Sequence, residues 1–292
     1  MSPPGLSGGG TMEGMAVSMH KRLLQELGEL RYVPTGKRIR ARSGDRVVAD
    51  SLDAVLVWEP RRVVPAYAVP IRDVQGTLSP APGGVGTQMP VFLDEQTGPA
   101  LGPGVGFAAH TCHGTALDIV TDGAVYPAAA FRPADEVLSK LVLLDFEAFD
   151  WWEEDEPILG HPRDPFHRVD VRRSSRRVRV ELDGLLLAES DRPSAVFETM
   201  LPVTRFYLPR EDVHVPLVPT ATRTYCAYKG EASYFTAEAA GERGIDVAWS
   251  YERPLPDCSQ IAGLVAFFQE RLDVTVDGAP VVRPRTPWSE PA

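Results

Sequence analysis

The chain contains part of itself twice. The segment "KRIRARSGDRVVADSLDAVLVWEPRRVVPAYAVPIRDV" begins at Lys37, and "RRVRVELDGLLLAESDRPSAVFETMLPVTRFYLPREDV" begins at Arg176. They align without a gap over 38 positions, with ten identities. Most other positions exchange like for like: Ile39 for Val178, Val48 for Leu187, Trp58 for Phe197, Tyr67 for Phe206. Two copies are too few, and each too long, for a solenoid. The alignment instead predicts two similar small domains. The first spans 24–165 and carries a Pro/Gly-rich insertion at 75–106. A linker at 166–175 leads to the second, at 176–292. Residues 1–23 read as a flexible N-terminus and the start of a helix.

The pattern inside each copy predicts strands. In the second, Val178, Val180 and Leu182 point one way while Arg177, Arg179 and Glu181 point the other. Asp183-Gly184 follows, the dipeptide best suited to a type I′ hairpin turn, and Gly44-Asp45 occupies that place in the first copy. "ESDRPSAVFETM" predicts a short helix capped by Ser190 or Asp191, with Pro193 in its first turn. "TRFYLP", "TRTYCAY", "ASYFT", "DVAWSY" and "LVAFFQE" read as strands. "DVTVDGAPVV" closes the copy with a second turn at Asp277-Gly278. The 27 prolines and 25 glycines punctuate the chain into short elements of this kind. No βαβ alternation appears, which argues against a dinucleotide fold. The fold expected is mainly β: two tandem small antiparallel β domains with short helices. Near the N-terminus, Leu23, Leu24, Leu27 and Leu30 recur at helical spacing and predict a docking helix.

A formal charge of −10 argues against a general nucleic-acid binder, because duplex binding runs on cationic neutralisation of phosphates. Cys112, Cys226 and Cys258 are widely spaced, with no C-x-x-C pair to hold zinc. Their odd number, with no apolar export segment and no membrane-length apolar run, leads to the expectation of a soluble cytoplasmic protein with no membrane partner.

The second copy reads "VRVELDGLLLAES", "VFETMLP", "RFYLPREDV", "YCAYKGEASYF", "AWSY" and "IAGLVAFF". Six motifs in this order resemble the family known as domain of unknown function 427. "EEDEPILGHPRDPFHRVDVRRSSRRV" resembles the linker of its two-domain members, so the likeness covers nearly all of 24–288. The resemblance implies a compact, tent-like β module per copy and leaves activity open. One family label points to nucleotidyltransferases, but this chain has no Gly-Ser followed by Asp-x-Asp to hold magnesium and phosphate. The family pattern Cys-Pro-Tyr-Lys-Gly is broken by Ala227 in the proline position. In the first copy the counterpart is "HTCHGTALDI", which keeps a cysteine, Cys112, and lacks the Tyr-Lys pair.

Candidate site residues therefore concentrate in the second copy. Cys226 is a candidate nucleophile if Lys229 lowers its pKa, and a packed core thiol otherwise. Lys229 is a candidate base, amine or anchor, or an exposed turn residue. Arg205 and Tyr207 share one strand face with Phe206 on the other. With Glu198 they form the polar lining a pocket needs, or Glu198 and Arg205 simply pair. In the first copy Glu59 matches Glu198, but Ala66 replaces Arg205. Trp249 with Tyr251 can line a pocket, whereas Trp58, Trp151, Trp152 and Trp288 read as packing. His161, Asp164 and His167 offer metal-ligand types, but the prolines among them break any convergent spacing, and a rigid linker fits better. His110 and His113 flank Cys112 as a possible Cys-His pair.

The reading that follows is a binding module for a polar or anionic small molecule. Its site is Glu198, Arg205, Tyr207, Tyr228, Lys229 and Trp249, with no metal and no cofactor. The alternatives are an enzyme using Cys226 or Lys229, and a structural or protein-interaction module without a site.

Overall fold

The computed structural model describes residues 16, 18–82, 91–92, 99–102, 104–199, 201, 203–284, 286 and 289. Much of the Pro/Gly-rich insertion, and Trp288, lie outside the described residues. Among the described residues the first element is an α-helix, α1 (Met19–Glu26), capped by the Ser18 hydroxyl. Leu24 and Leu27 are buried under it and Leu23 is exposed. No described helix is long and apolar enough to cross a membrane.

The described remainder is mainly antiparallel β-structure with short 3-10 helices between strands, the mainly β fold that the sequence pattern predicts. The first unit runs β1 (Arg31–Pro34), β2 (Ile39–Ser43), β3 (Arg46–Ser51), β4 (Val55–Trp58), β5 (Ala66–Pro70) and β6 (Thr77–Pro80). A small ribbon, β7 (Val91–Phe92) and β8 (Pro99–Ala100), precedes β9 (Gly114–Thr121), β10 (Ala124–Pro133) and β11 (Leu141–Leu144). The unit ends with β12 (Asp150–Glu153) and β13 (Glu156–Ile158).

The second unit runs β14 (Val169–Arg173), β15 (Val178–Leu182), β16 (Leu185–Ser190), β17 (Ser194–Glu198), β18 (Arg205–Leu208) and β19 (Leu217–Cys226). It closes with β20 (Gly230–Ala237), β21 (Ala248–Ser250), β22 (Val265–Phe267), β23 (Asp273–Val276) and β24 (Ala279–Pro280).

Each unit has a seven-stranded and a four-stranded sheet, in the same strand order. In the first unit the large sheet is β1-β4-β5-β11-β10-β9-β6 and the small one β13-β12-β2-β3. In the second they are β14-β17-β18-β22-β21-β20-β19 and β24-β23-β15-β16. The match extends to irregularities. The first hairpin of each unit slips register at aligned residues, after Ala41 and after Val180. An isolated bridge joins Ala49 to Val74 in one unit and Ala188 to Val213 in the other. The Asp183-Gly184 and Asp277-Gly278 turns place both residues at positive φ, as a type I′ turn requires.

Two expectations are corrected. "ESDRPSAVFETM" is not a helix: Ser194–Glu198 is β17, paired on one side with β14 and on the other with β18. Ser190 does accept a hydrogen bond from the Arg192 amide, but it closes a turn rather than capping a helix. Two ladders satisfy more backbone groups than one helical turn, and this decides a short ambiguous segment. The linker is also shorter than 166–175, because Val169–Arg173 pairs along its whole length with β17 as an edge strand.

The second large sheet has two different faces. Ala195, Phe206, Leu208, Phe235, Ala248, Val265 and Phe267 face the small sheet and form the core between them. Val196, Tyr207, Tyr234, Trp249, Tyr251, Ala266 and Phe268 occupy the opposite face, under Cys258 and Ile261. Strand alternation produces this split, so Phe206 and Tyr207 part as expected.

Candidate functional site

The polar groups of the second unit collect on that second, aromatic face. Glu198 ends β17, Arg205 and Tyr207 lie on β18, and Trp249 on β21. Cys226 ends β19, and Ala227, Tyr228 and Lys229 turn the chain into β20. Gly230 closes the turn with φ of 97°, a conformation that costs a glycine nothing. The Lys229 carbonyl accepts from the Leu255 amide, which fastens the turn to the loop before Cys258.

Lys229 does not mark an exposed turn. It is 8% exposed, and its Nζ donates to Glu198 Oε1 at 2.5 Å. Burial works against the Lys229 charge, but Cys226, Glu198, Tyr251 and Tyr207 together hold its pKa well above the usual lysine value. Burial likewise opposes the Glu198 charge. The Lys229 ammonium and the imidazole of His167 outweigh it and pull the carboxyl down to about 2. The pair is ionised and nearly out of water. His167 brings Nε2 to 3.8 Å from Glu198 Oε2, beyond hydrogen-bond length, and that nitrogen is buried without a hydrogen-bond partner.

Arg205 is also buried, but it does not pair with Glu198. Its guanidinium makes a fork on Glu270, with Nη1 to Oε2 at 2.8 Å and Nη2 on Oε1. The Thr286 hydroxyl adds a third bond to Glu270 Oε1 at 2.6 Å. The guanidinium carbon lies 5.5 Å from the centre of the Trp249 ring, a cation–π distance. Trp249 Nε1 donates to Tyr207 Oη at 3.2 Å, and burial pushes the Tyr207 phenol up to about 12. Tyr228 stands at the edge of the group. Its ring stacks on His167 at 4.5 Å, and its Oη accepts the Asp164 amide at 2.8 Å.

All six ligand-lining residues predicted from sequence thus lie on or beside one face. Three close neighbours were not among them: Glu270, His167 and Asp164. Glu270 follows "AFFQ" at a strand end, and no spacing rule points it at Arg205. His167 and Asp164 entered only as metal-ligand types. His161 Nδ1 donates to the Pro162 carbonyl oxygen, Asp164 accepts from Trp58 Nε1, and His167 stacks on Tyr228, so the side-chain donor atoms of the three do not share one point.

The three cysteines occupy different surroundings. Cys226 is half-buried against the aromatic face. Burial pushes the Cys258 thiol up to about 11. In the first unit, burial and the adjacent Glu59 carboxylate push Cys112 up to about 12. Glu59 also accepts from the Thr111 and Cys112 amides and contacts His110 Nδ1 at 2.7 Å. His110 therefore serves Glu59, not Cys112, and His113 is exposed. Trp58, Trp151 and Trp249 are buried, and Trp152 lies under Arg42.

An open basin of about 400 Å³ lies on the first unit, lined by Arg38, Asp50, Leu52, Asp53, Arg72 and Asp73. None of these residues belongs to the Lys229 group.

Residues 170–278 match the model of a family described as Domain of unknown function (DUF427). The match runs from β14 to the turn after β23 and takes in Glu198, Arg205, Tyr207, Lys229, Trp249 and Glu270. It does not reach the first unit. No curated protein matches the chain.

Proposed function

We propose that the second unit is a binding module for a small polar molecule bearing an anionic or carbonyl group, and that Lys229 and Glu198 receive it. The observation that carries this reading is their buried ion pair. Withdrawing two charges from water costs several kcal/mol per ion, and an apolar pair of similar volume usually stabilises a core as well or better. Perturbed, desolvated charges cluster where proteins bind and react. An ammonium has three donors, and Glu198 takes one. Arg205 is committed to Glu270, so Lys229 is the cation that a ligand would meet. Tyr207, Tyr228 and Trp249 supply the aromatic walls.

The test is thermal denaturation with a panel of small carboxylates, phosphates and carbonyl compounds, beside native mass spectrometry of the purified chain. A ligand at a hundred times its Kd stabilises by about 2.7 kcal/mol. That shift is expected for the wild type and lost in Lys229→Met. Equal binding by Lys229→Met, or no ligand from the panel and none co-purified, counts against the reading.

A second reading is catalysis with Cys226 as nucleophile. It is favoured by one contrast: Cys226 shares its surroundings with an ammonium, Cys112 with a carboxylate. Thiolates form beside cations. Selective alkylation of Cys226, slowed by Lys229→Met, is the expected result, and equal rates in the two proteins would remove the idea.

A further inference from the structure

The chain between the two units passes over the turn that carries Cys226 and Lys229. Gly160, with φ of 79°, lies against the peptide groups on either side of Cys226. A Cβ at Gly160 would come within 3.2 Å of the Tyr225 carbonyl oxygen and 3.3 Å of the Ala227 nitrogen. His161 is buried edge-on to the Tyr228 ring at 5.7 Å. The Arg163 guanidinium lies 5.5 Å from the centre of the Tyr228 ring and pairs with Asp257. His167 stacks on Tyr228 and reaches toward Glu198. Four successive contacts therefore hold this segment to the proposed site.

Asp164 joins it to the first unit. Its amide donates to Tyr228 Oη at 2.8 Å, while its carboxylate Oδ2 accepts from Trp58 Nε1 at 3.2 Å. The other oxygen accepts from the Phe166 amide at 2.7 Å and shapes the local turn. Trp58 ends β4 of the first unit, and its ring also meets Phe166 at 6.0 Å. One residue thus links an indole of the first unit to a phenol of the second.

We propose that residues 159–167 form a strap that closes over the Cys226 and Lys229–Glu198 face, and that Asp164 is the positioning residue latching it, with Trp58 as the catch. The first unit then acts as a wall and a gate for its neighbour, which gives a physical role to a copy lacking the Tyr-Lys pair. The strap governs access to this face and does not depend on the ligand reading.

The test uses the full chain. Hydrogen exchange at the Asp164 amide and iodoacetamide alkylation of Cys226 are followed together, with Cys112 as internal control. Trp58→Phe and Tyr228→Phe each remove one hydrogen bond of the latch. Each is expected to speed both readouts about fivefold, the factor that loss of one hydrogen bond brings. Cys112 should not change. Asp164→Ala also loses the bond from the Phe166 amide and should exceed Trp58→Phe, whereas Asp164→Asn, with one acceptor oxygen for two donors, should fall between Asp164→Ala and the wild type. Three results overturn the proposal: an Asp164 amide exchanging like that of an unstructured peptide in the wild type; variants that leave Cys226 unchanged; or Cys112 accelerating in step with Cys226, which means general loosening. A strap that behaves as described in a protein that binds no ligand would separate this inference from the previous one.

Discussion

Glu59 and Glu198 occupy the same place in two copies of one architecture, and their partners differ. In the first unit the carboxylate takes a histidine and two backbone amides from the segment before β9. In the second it takes a lysine from the β19–β20 turn. Around them, Ala66 and Ala68 stand where the second unit has Arg205 and Tyr207. The first unit has satisfied its glutamate with an imidazole, stacked on Phe131, and two backbone amides, and it carries alanines where the second has Arg205 and Tyr207. The second uses the same position for a buried ammonium ringed by phenols. A shared backbone therefore sets where a buried carboxylate sits, and the side chains facing it decide whether it is an anchor or a candidate site.

The sharpest way to break this comparison is to remove the carboxylate. Glu198→Ala leaves the Lys229 charge buried without its partner and should cost about 3–5 kcal/mol in urea denaturation. Glu59→Ala removes the acceptor of the Thr111 and Cys112 amides, but that segment is partly exposed and water can replace the carboxylate, so the total cost should be about 1–3 kcal/mol. A reversed order would mean that the second pair is better hydrated than its burial shows.

Acid acts on both in the same direction, because burial raises the Glu59 carboxyl but His110 and the Thr111 and Cys112 amides outweigh it and hold it below its usual range. Glu198 has a folded pKa depressed to about 2, below its unfolded value. Its contribution is therefore present above the unfolded pKa and is lost as pH falls through about 4 toward 2. The loss amounts to roughly 3 kcal/mol, since a tenfold change in proton affinity between the folded and unfolded chain is about 1.4 kcal/mol. Glu198→Gln should flatten this part of the stability–pH curve. An unchanged slope would show that other carboxyls drive the acid transition.

A smaller effect distinguishes structure from function. Replacing Glu198 and Lys229 together by Leu and Met should change stability by about 1 kcal/mol or less, because both desolvation costs go with the charges. Ligand binding should be abolished. A double variant as unstable as Glu198→Ala would make the pair a structural element.

The least effect belongs to a pair of surface bridges with exchanged partners. Asp53 pairs with Arg72, and at the aligned positions Arg192 pairs with Glu211. Both are exposed, and exposed bridges contribute little. Exchanging the charges as Asp53→Arg with Arg72→Glu should leave the denaturation midpoint unchanged. A clear shift would mean that the basin around Asp53 and Arg72 has a role of its own.

Much of the architecture was legible in the chain. Period-2 alternation and Asp-Gly turns identified the strands, and the self-alignment holds down to a register slip at Ala41 and Val180 that no propensity encodes. The site was legible in part. Arg205, Tyr207 and Phe206 parted between faces because strand geometry requires it, and the Lys229-Gly230 turn followed from glycine. What failed was partner choice. Arg205 reached Glu270 because the ladder places β22 beside β18, 57 residues later in the chain at their nearest paired residues, Leu208 and Val265. The short helix expected in "ESDRPSAVFETM" failed for the same reason, since its competitor was a sheet assembled from distant segments.

The order of residues was enough to settle a twice-used antiparallel framework and the face on which its polar groups stand, because alternation and turn chemistry act within a few residues. Only the assembled sheets decided that Lys229 is buried, that Glu198 rather than Glu270 is its partner, and that the linker lies across both. Those outcomes depend on which charges lose their water together, and desolvation is a property of the packed molecule.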